Sequence, residues 1–304
     1  MIGMRPLAPT RDTSIPLGIV GGGADWAKPY WPAIAALKRG RVVAAYSSQR
    51  DEADLLGQAL AAPRLLSLRE MLRKTQLGAL LILDTGVSRD WAVQLAAERQ
   101  IPAFVASPID DHLPARVTEL ADQEVEGLSL IPGLTLRMTP ASLRLRELIA
   151  TRLGPVQRIR IDLHTTSGPH LISVIDWCRS IIGSVTSHIE RSACDQVESW
   201  QLQCGRRSPL APMVISEIVH SEVNPHPWNI RVQCERGEAH LAGETQIHWQ
   251  TASEKAEEQL QSDRTAEQVL LDLFLRRVVG GVVPIPSWAE LAEACRLWKH
   301  GIDR

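Results

Sequence analysis

The sequence predicts an α/β fold, a doubly wound parallel sheet, followed by an α+β part with a large, open, mainly antiparallel sheet. Three observations predict it. Over the first 125 residues short apolar runs alternate with helix-forming segments, as strands buried on both faces and their crossover helices do. The first of these runs, Leu17-Gly18-Ile19-Val20, leads straight into Gly21-Gly22-Gly23. Beyond Gly127 the runs lengthen and alternate apolar with polar residues, the pattern of a sheet with one covered face. The boundary is therefore set between residues 126 and 127, giving a nucleotide-binding domain over 1–126 and a substrate and assembly domain over 127–304.

The elements follow in order. After the glycine turn the pattern predicts a helix over Trp26 to Lys38, a strand over Val42 to Tyr46, a helix over Asp51 to Ala61, a short Leu65-Leu66 strand and a helix over Leu68 to Lys74. Leu80 to Leu83 reads as a strand, Asp90 to Arg99 as a helix, Ala103 to Ala106 as a strand and Leu113 to Val125 as a helix. In the second half, strands are expected over Val156 to Leu163, Val185 to Ser192, Met213 to His220, Ile230 to Glu235 and Glu244 to Gln250. Helices are expected over Ala141 to Thr151, Leu171 to Ile182, Ala266 to Val279 and Trp288 to Lys299. Asn224-Pro225-His226-Pro227 marks a loop.

The glycine turn carries the functional signal. A Rossmann-type dinucleotide fingerprint reads G-x-G-x-x-G, because the backbone must turn tightly and a diphosphate must approach it closely. Gly21 and Gly23 fill its first two places, Ala24 follows, and Trp26 stands where the third small residue belongs. At the end of the second strand an acid would bind the adenosine ribose; Tyr46-Ser47-Ser48-Gln49-Arg50 holds none. Hydroxyls beside an arginine accept the extra phosphate of NADP, so Ser47, Ser48 and Arg50 favour NADP, with NAD the alternative. The competing reading is an ordinary capping loop ahead of Asp51 and Glu52.

Composition narrows the partners. With 44% hydrophobic residues, 22% charged residues and a net charge of −2, the 304-residue chain reads as a globular protein for a small-molecule substrate, with neither nucleic acid nor membrane as partner. No apolar run reaches a membrane span and no signal-peptide core opens the chain, so a cytoplasmic location is expected. Five cysteines without C-x-x-C spacing read as reduced thiols, and the nine dispersed histidines give no metal-binding pair, so no metal is expected.

Several fragments, taken in order, resemble the glucose-fructose oxidoreductase, inositol dehydrogenase and MocA family (Gfo/Idh/MocA). They are Leu17 to Gly23, Trp31-Pro32-Ala33, Leu65 to Leu72, Asp84-Thr85, Arg137-Met138-Thr139-Pro140, Leu153-Gly154-Pro155-Val156, Gly168-Pro169-His170-Leu171-Ile172 and Gly280-Gly281-Val282-Val283-Pro284. The resemblance implies an oxidoreductase that joins a nicotinamide cofactor to a sugar, polyol or related carbonyl substrate, with Thr85 among the cofactor contacts and homo-oligomers formed through the C-terminal sheet. It also exposes departures. Where the family carries Glu-Lys-Pro, this chain has Ala106-Ser107-Pro108, and serine alone cannot replace the lysine in proton transfer. Aligning His170 with the family's histidine puts Thr166 at its aspartate; matching Ile175-Asp176 instead puts Ser173 at the histidine. His170 in the first register is the leading acid or base, with His164 and Ser107 as the other catalytic candidates. A catalytically degenerate binding or scaffold subunit is the alternative function.

Overall fold

The structure, a computed structural model, describes residues 14–59, 61–106, 130–164, 170–183, 185–194, 197–205, 214–221 and 228–302. Two compact units emerge. The first comprises the described residues of Met1–Ser107 and Gly127–Ile131 with Leu271–Ile285; the second comprises those of Pro132–Leu270 and Pro286–Arg304.

In the first unit β1 (Ile15–Gly21) pairs in parallel with β2 (Gly40–Tyr46) on one side and β3 (Ala79–Leu83) on the other. With β4 (Ala103–Val105) and β5 (Leu130–Pro132) the order is β2-β1-β3-β4-β5. Leu17, Ile19, Val20, Leu80, Leu81 and Ile82 are wholly shielded from solvent, as strands covered on both faces must be. Next to β2, the expected Leu65-Leu66 strand shrinks to a single parallel bridge between Ala45 and Arg64. Pro63 there has a carbonyl for the Ala45 N–H but no N–H to extend a ladder. Counting that bridge, the spatial order is the 3-2-1-4-5-6 of dinucleotide-binding sheets, reversing between β1 and β3.

Four helices are described between these strands: α1 (Tyr30–Ala35), α2 (Arg50–Ala59), α3 (Leu68–Lys74) and α4 (Gly86–Glu98). The long helix expected over Trp26 to Lys38 does not form. A 3-10 turn, Asp25–Ala27, precedes the six-residue α1. Pro29 and Pro32 lack the N–H that a continuous helix would direct at Asp25 and Lys28, and their rings clash with those carbonyls. Phe274 packs on Phe104 at 5.7 Å between ring centroids, which ties the segment after Leu271 to this unit. The helix expected over Leu113 to Val125 lies outside the described residues, as does the Asn224 to Pro227 loop.

The second unit is built on eight strands: β6 (Val156–His164), β7 (Val185–Cys194), β8 (Val197–Gly205), β9 (Val214–Ser221), β10 (Trp228–Cys234), β11 (Gly237–Ala242), β12 (Gln246–Thr251) and β13 (Lys255–Gln259). Their order is β13-β12-β11-β10-β6-β9-β8-β7, open at both ends, and only β6 with β9 runs parallel. Three of these strands, β8, β11 and β13, escaped the sequence pattern. Strand β11 follows a two-residue turn, Glu235-Arg236, inside what reads as one polar stretch, and β13 (KAEEQ) is a charged edge strand. One face of β10 to β12 buries Ile230, Val232, Ala239, Leu241, Ile247 and Trp249. The helices are α5 (Pro140–Leu148), α6 (Leu171–Ile182) and α8 (Trp288–Ile302), together with the start of α7 (Ala266–Val278), which belongs to the first unit from Leu271 on. Helix α5 runs on into a π-helical turn, Ile149–Leu153, and Gly183 caps α6 in the left-handed conformation at φ 67°.

Candidate cofactor and catalytic residues

The glycine turn lies where ligands of open parallel sheets bind, at the carboxyl ends of the strands beside the order reversal. Gly21 and Gly22 have φ of 75° and 112°, conformations that favour glycine. A side chain at Gly21 would sit 2.6 Å from the Leu83 carbonyl and from the Asp84 Cβ, so the tips of β1 and β3 meet there backbone to backbone. The Trp31 indole N–H donates to the Gly22 carbonyl at 2.8 Å and pins the turn from α1.

What surrounds the turn is less generous to a diphosphate. The 3-10 turn begins at Ala24 with Asp25, whose carboxylate pairs with Lys28 at 2.6 Å. A six-residue α1 directs no full helix dipole at the site. The fit is therefore to a diphosphate held by backbone amides of the Gly21 to Gly23 turn rather than by a helix terminus and cations. At the tip of β2, Ser47 is buried and its hydroxyl accepts the Gln49 N–H at 3.2 Å, while Ser48 is exposed. The side chains of Arg50 and Trp26 lie outside the described residues. Thr85 is exposed at the start of α4 and its hydroxyl makes no cap, leaving it available to a ligand.

Asp84 sits between these groups and the sequence reading passed over it as a site residue. Its Oδ1 accepts the Thr85 N–H at 2.8 Å, whereas its Oδ2 is buried with no hydrogen-bond partner. No cation pairs with it among the described residues; Arg89, wholly buried in α4, is engaged by Asp90 at 2.8 Å. An acid at a strand's carboxyl end, followed by a helix start, was the available signal.

His170 is the N-cap of α6: its Nδ1 accepts the Ile172 N–H at 3.2 Å. In the neutral ring the proton therefore resides on Nε2. The ring also stands edge-on to Trp298 of α8, with centroids 6.0 Å apart. Ser107 lies outside the described residues; His164 ends β6, and its side chain is likewise outside them.

Asp176, six residues into α6, is wholly buried and binds Arg137 through both carboxylate oxygens, the Nε contact being 2.6 Å. Glu290 takes a further Arg137 N–H at 3.1 Å. Burial works against the guanidinium charge, but the Asp176 and Glu290 carboxylates more than offset it and hold its pKa above the ordinary value. The alternative register that centred on Ile175-Asp176 thus places the acid in an ion pair. Around it, Trp177 donates to Ser142 at 2.9 Å and Thr139 bonds Ser142 at 2.8 Å. Cys178, Cys234 and Cys295 are buried and in no disulfide; burial pushes the Cys234 thiol up to about 11 and the Cys295 thiol to about 12.

The outer face of β10 to β13 is polar. Arg231, His240, His248 and Glu257 stand opposite one another across four strands and line a cavity of about 580 Å³ that contains none of the residues singled out from the sequence. Among the described residues, no three metal-ligating side chains gather and no helix is long and apolar enough to cross a membrane.

Solved structures share this pair of a dinucleotide-type parallel sheet and an eight-stranded open sheet. A dehydrogenase from Chromobacterium violaceum superposes with a TM-score of 0.82 at 15% identity, covering 96% of this chain and 95% of that one. An oxidoreductase from Agrobacterium radiobacter, solved with NAD+, L-tartaric acid and magnesium, gives 0.78 at 13% identity over 96% of each chain. UDP-N-acetylglucosamine 3-dehydrogenase from Acidithiobacillus ferrooxidans gives 0.76 at 14%, covering 95% of this chain and 96% of that one. No protein-family model and no curated protein sequence matches the chain. The fold is that of the Gfo/Idh/MocA-type dehydrogenases, as the sequence resemblance implied.

Proposed function

We propose that the chain is an NAD(P)-dependent oxidoreductase acting on a hydroxyl-bearing or carbonyl carbon of a sugar, polyol or related small molecule. The observation that carries the proposal is the left-handed glycine turn at the strand-order reversal, in a chain that shares its fold end to end with dehydrogenases. Gly21, Gly23 and Ala24 would hold the diphosphate through their backbone, Thr85 would contact the far half of the cofactor, and Ser47, Ser48 and Arg50 would take the adenosine ribose. The absence of an acid at the tip of β2 favours NADP. When bound, a nicotinamide supplies the hydride acceptor or donor.

The proton is the chain's own task, and with serine at position 107 it falls to His170. With Nδ1 capping α6, the neutral ring can at most hydrogen-bond a carbonyl oxygen through Nε2–H; to give that oxygen a proton during reduction the ring must first be the imidazolium, whose Nδ1–H also breaks the cap. To accept a proton in the oxidative direction, Nε2 must lose its hydrogen while Nδ1 gains one, which breaks the cap. That exchange costs about 1 kcal/mol of helix capping. His170→Asn separates the two roles, because asparagine caps helices yet transfers no proton at neutral pH.

Fluorescence titration of the purified protein with NADPH and NADH tests the cofactor. Binding with a Kd below about 1 mM is expected, tighter for NADPH, and no binding of either would leave a non-catalytic binding subunit as the function. The cap engagement of Nδ1 is what favours that second reading. Once a substrate is found by screening sugars and polyols, His170→Asn should lose about 100-fold or more in turnover while keeping cofactor affinity. Self-association through the second sheet rests on its outer row, which runs from Arg231 to Glu257 and so can pair with itself about a twofold axis. Light scattering should give a dimer or larger, and Arg231→Glu should dissociate it.

A further inference from the structure

We infer that Asp84 makes the proposed cofactor site discriminate by charge, binding the oxidised, cationic nicotinamide in preference to the reduced, neutral one. The inference rests on the dinucleotide reading and goes beyond it. Strand order supplies the geometry: β2, β1 and β3 lie side by side, and their carboxyl ends form one row. A dinucleotide with its adenosine at β2 and its diphosphate at the β1 turn reaches β3 with its other nucleoside. Asp84 is the first residue past β3, and its Cβ lies 2.6 Å from where a side chain at Gly21 would begin.

The electrostatics supply the sign. Asp84 carries a carboxylate with a single donor, the Thr85 N–H, on Oδ1. Its Oδ2 is shielded from solvent and unpartnered, and no cation among the described residues neutralises it: Lys28 is paired with Asp25 and Arg89 with Asp90. Asp84 is half-buried, and with Oδ2 out of solvent its charge is screened less than that of a fully solvated carboxylate. It repels the diphosphate equally in both cofactor forms, so its net effect on the ratio of affinities comes from the nicotinamide ring alone. That ring is positive when oxidised and neutral when reduced.

The test measures that ratio by calorimetric titration of the whole chain with NADP+, NADPH, NAD+ and NADH, for the wild type and Asp84→Asn. Asparagine keeps an oxygen for the Thr85 N–H and removes the charge. Expected is a fall of about fivefold in preference for the oxidised form, the size of a single charge–charge interaction at intermediate dielectric. Asp84→Ser, whose hydroxyl also accepts from Thr85, should give the same fall and serves if the asparagine variant does not fold. A ratio unchanged within twofold in a variant that still binds cofactor overturns the role of Asp84 and leaves the dinucleotide reading standing. Failure of the wild type to bind any of the four removes both.

Discussion

The two units are stabilised by different means. The first is held chiefly by apolar strands shielded on both faces; Lys28 pairs with Asp25 and Arg64 with Asp54 at the surface, and its buried Arg89 pairs with the part-exposed Asp90 of the same helix, whereas no pair buried at both ends is found among its described residues. The second hides charge: Arg137 and Asp176 are buried among α5, α6 and the start of α8, with Glu290 and Arg179 around them. The difference reaches the functional residues. In the first unit the proposed ligand-facing groups are chiefly backbone, whose conformation depends on glycine and proline. In the second, the leading acid-base residue caps the very helix that carries the buried acid, so its placement depends on side-chain pairing.

The largest expected effect breaks the second unit. Asp176→Ala leaves Arg137 buried without its bidentate partner and should destabilise by about 3–5 kcal/mol, read by chemical denaturation followed through tryptophan fluorescence. The double variant Arg137→Met with Asp176→Leu should recover most of that loss. If the single variant alone were as stable as the wild type, the contrast between the units would collapse. In the first unit the comparable test is Gly21→Ala. A side chain there meets Leu83 O and Asp84 Cβ at 2.6 Å with φ at 75°. Backbone strain of about 1–3 kcal/mol follows, with loss of dinucleotide binding. Unchanged cofactor affinity in that variant would show that the turn does not hold the ligand.

The contrast also explains what the sequence disclosed. The first sheet was legible because runs such as Leu80 to Leu83 are apolar throughout, and α3 and α6 begin and end where Ser67, Lys74, His170 and Gly183 signal them. The α1 region was misread because apolar periodicity outweighed Pro29 and Pro32, although proline fixes where a helix can start. In the second unit β11 and β13 stayed hidden because hairpin partners and edge strands carry too few apolar residues to show a period. The Arg137 to Asp176 pair was hidden for another reason: 39 residues separate its members, and sequence spacing carries no trace of such a contact. The one local hint was an acid inside the apolar run Leu171-Ile172-Ser173-Val174-Ile175-Asp176, which cannot be buried without a partner.

The smallest predicted effect sharpens the comparison at the rim of the second unit. Glu258 of β13 turns inward and receives Arg144 Nε and Nη2 at 2.8 and 2.9 Å, and the Trp249 indole N–H at 2.6 Å. The Arg144 hydrogen bonds hold its carboxyl below the ordinary 4.5. A carboxyl lowered in the folded state binds fewer protons there than in the unfolded chain. Its stabilisation is therefore complete above the ordinary value and is lost as pH falls from near 4.5 through the folded-state value. Glu258→Gln should cost about 1 kcal/mol at pH 7, in the range of a partly exposed ion pair, and should flatten the loss of stability on acidification. A full set of denaturation curves between pH 7 and pH 3 checks the sign. If the glutamine variant loses stability with acid as steeply as the wild type, the acid sensitivity belongs to other lowered carboxyls such as the part-exposed Glu290, where the Ser287 hydrogen bonds and Arg137 outweigh burial, and charge at the rim contributes nothing to the difference between the units.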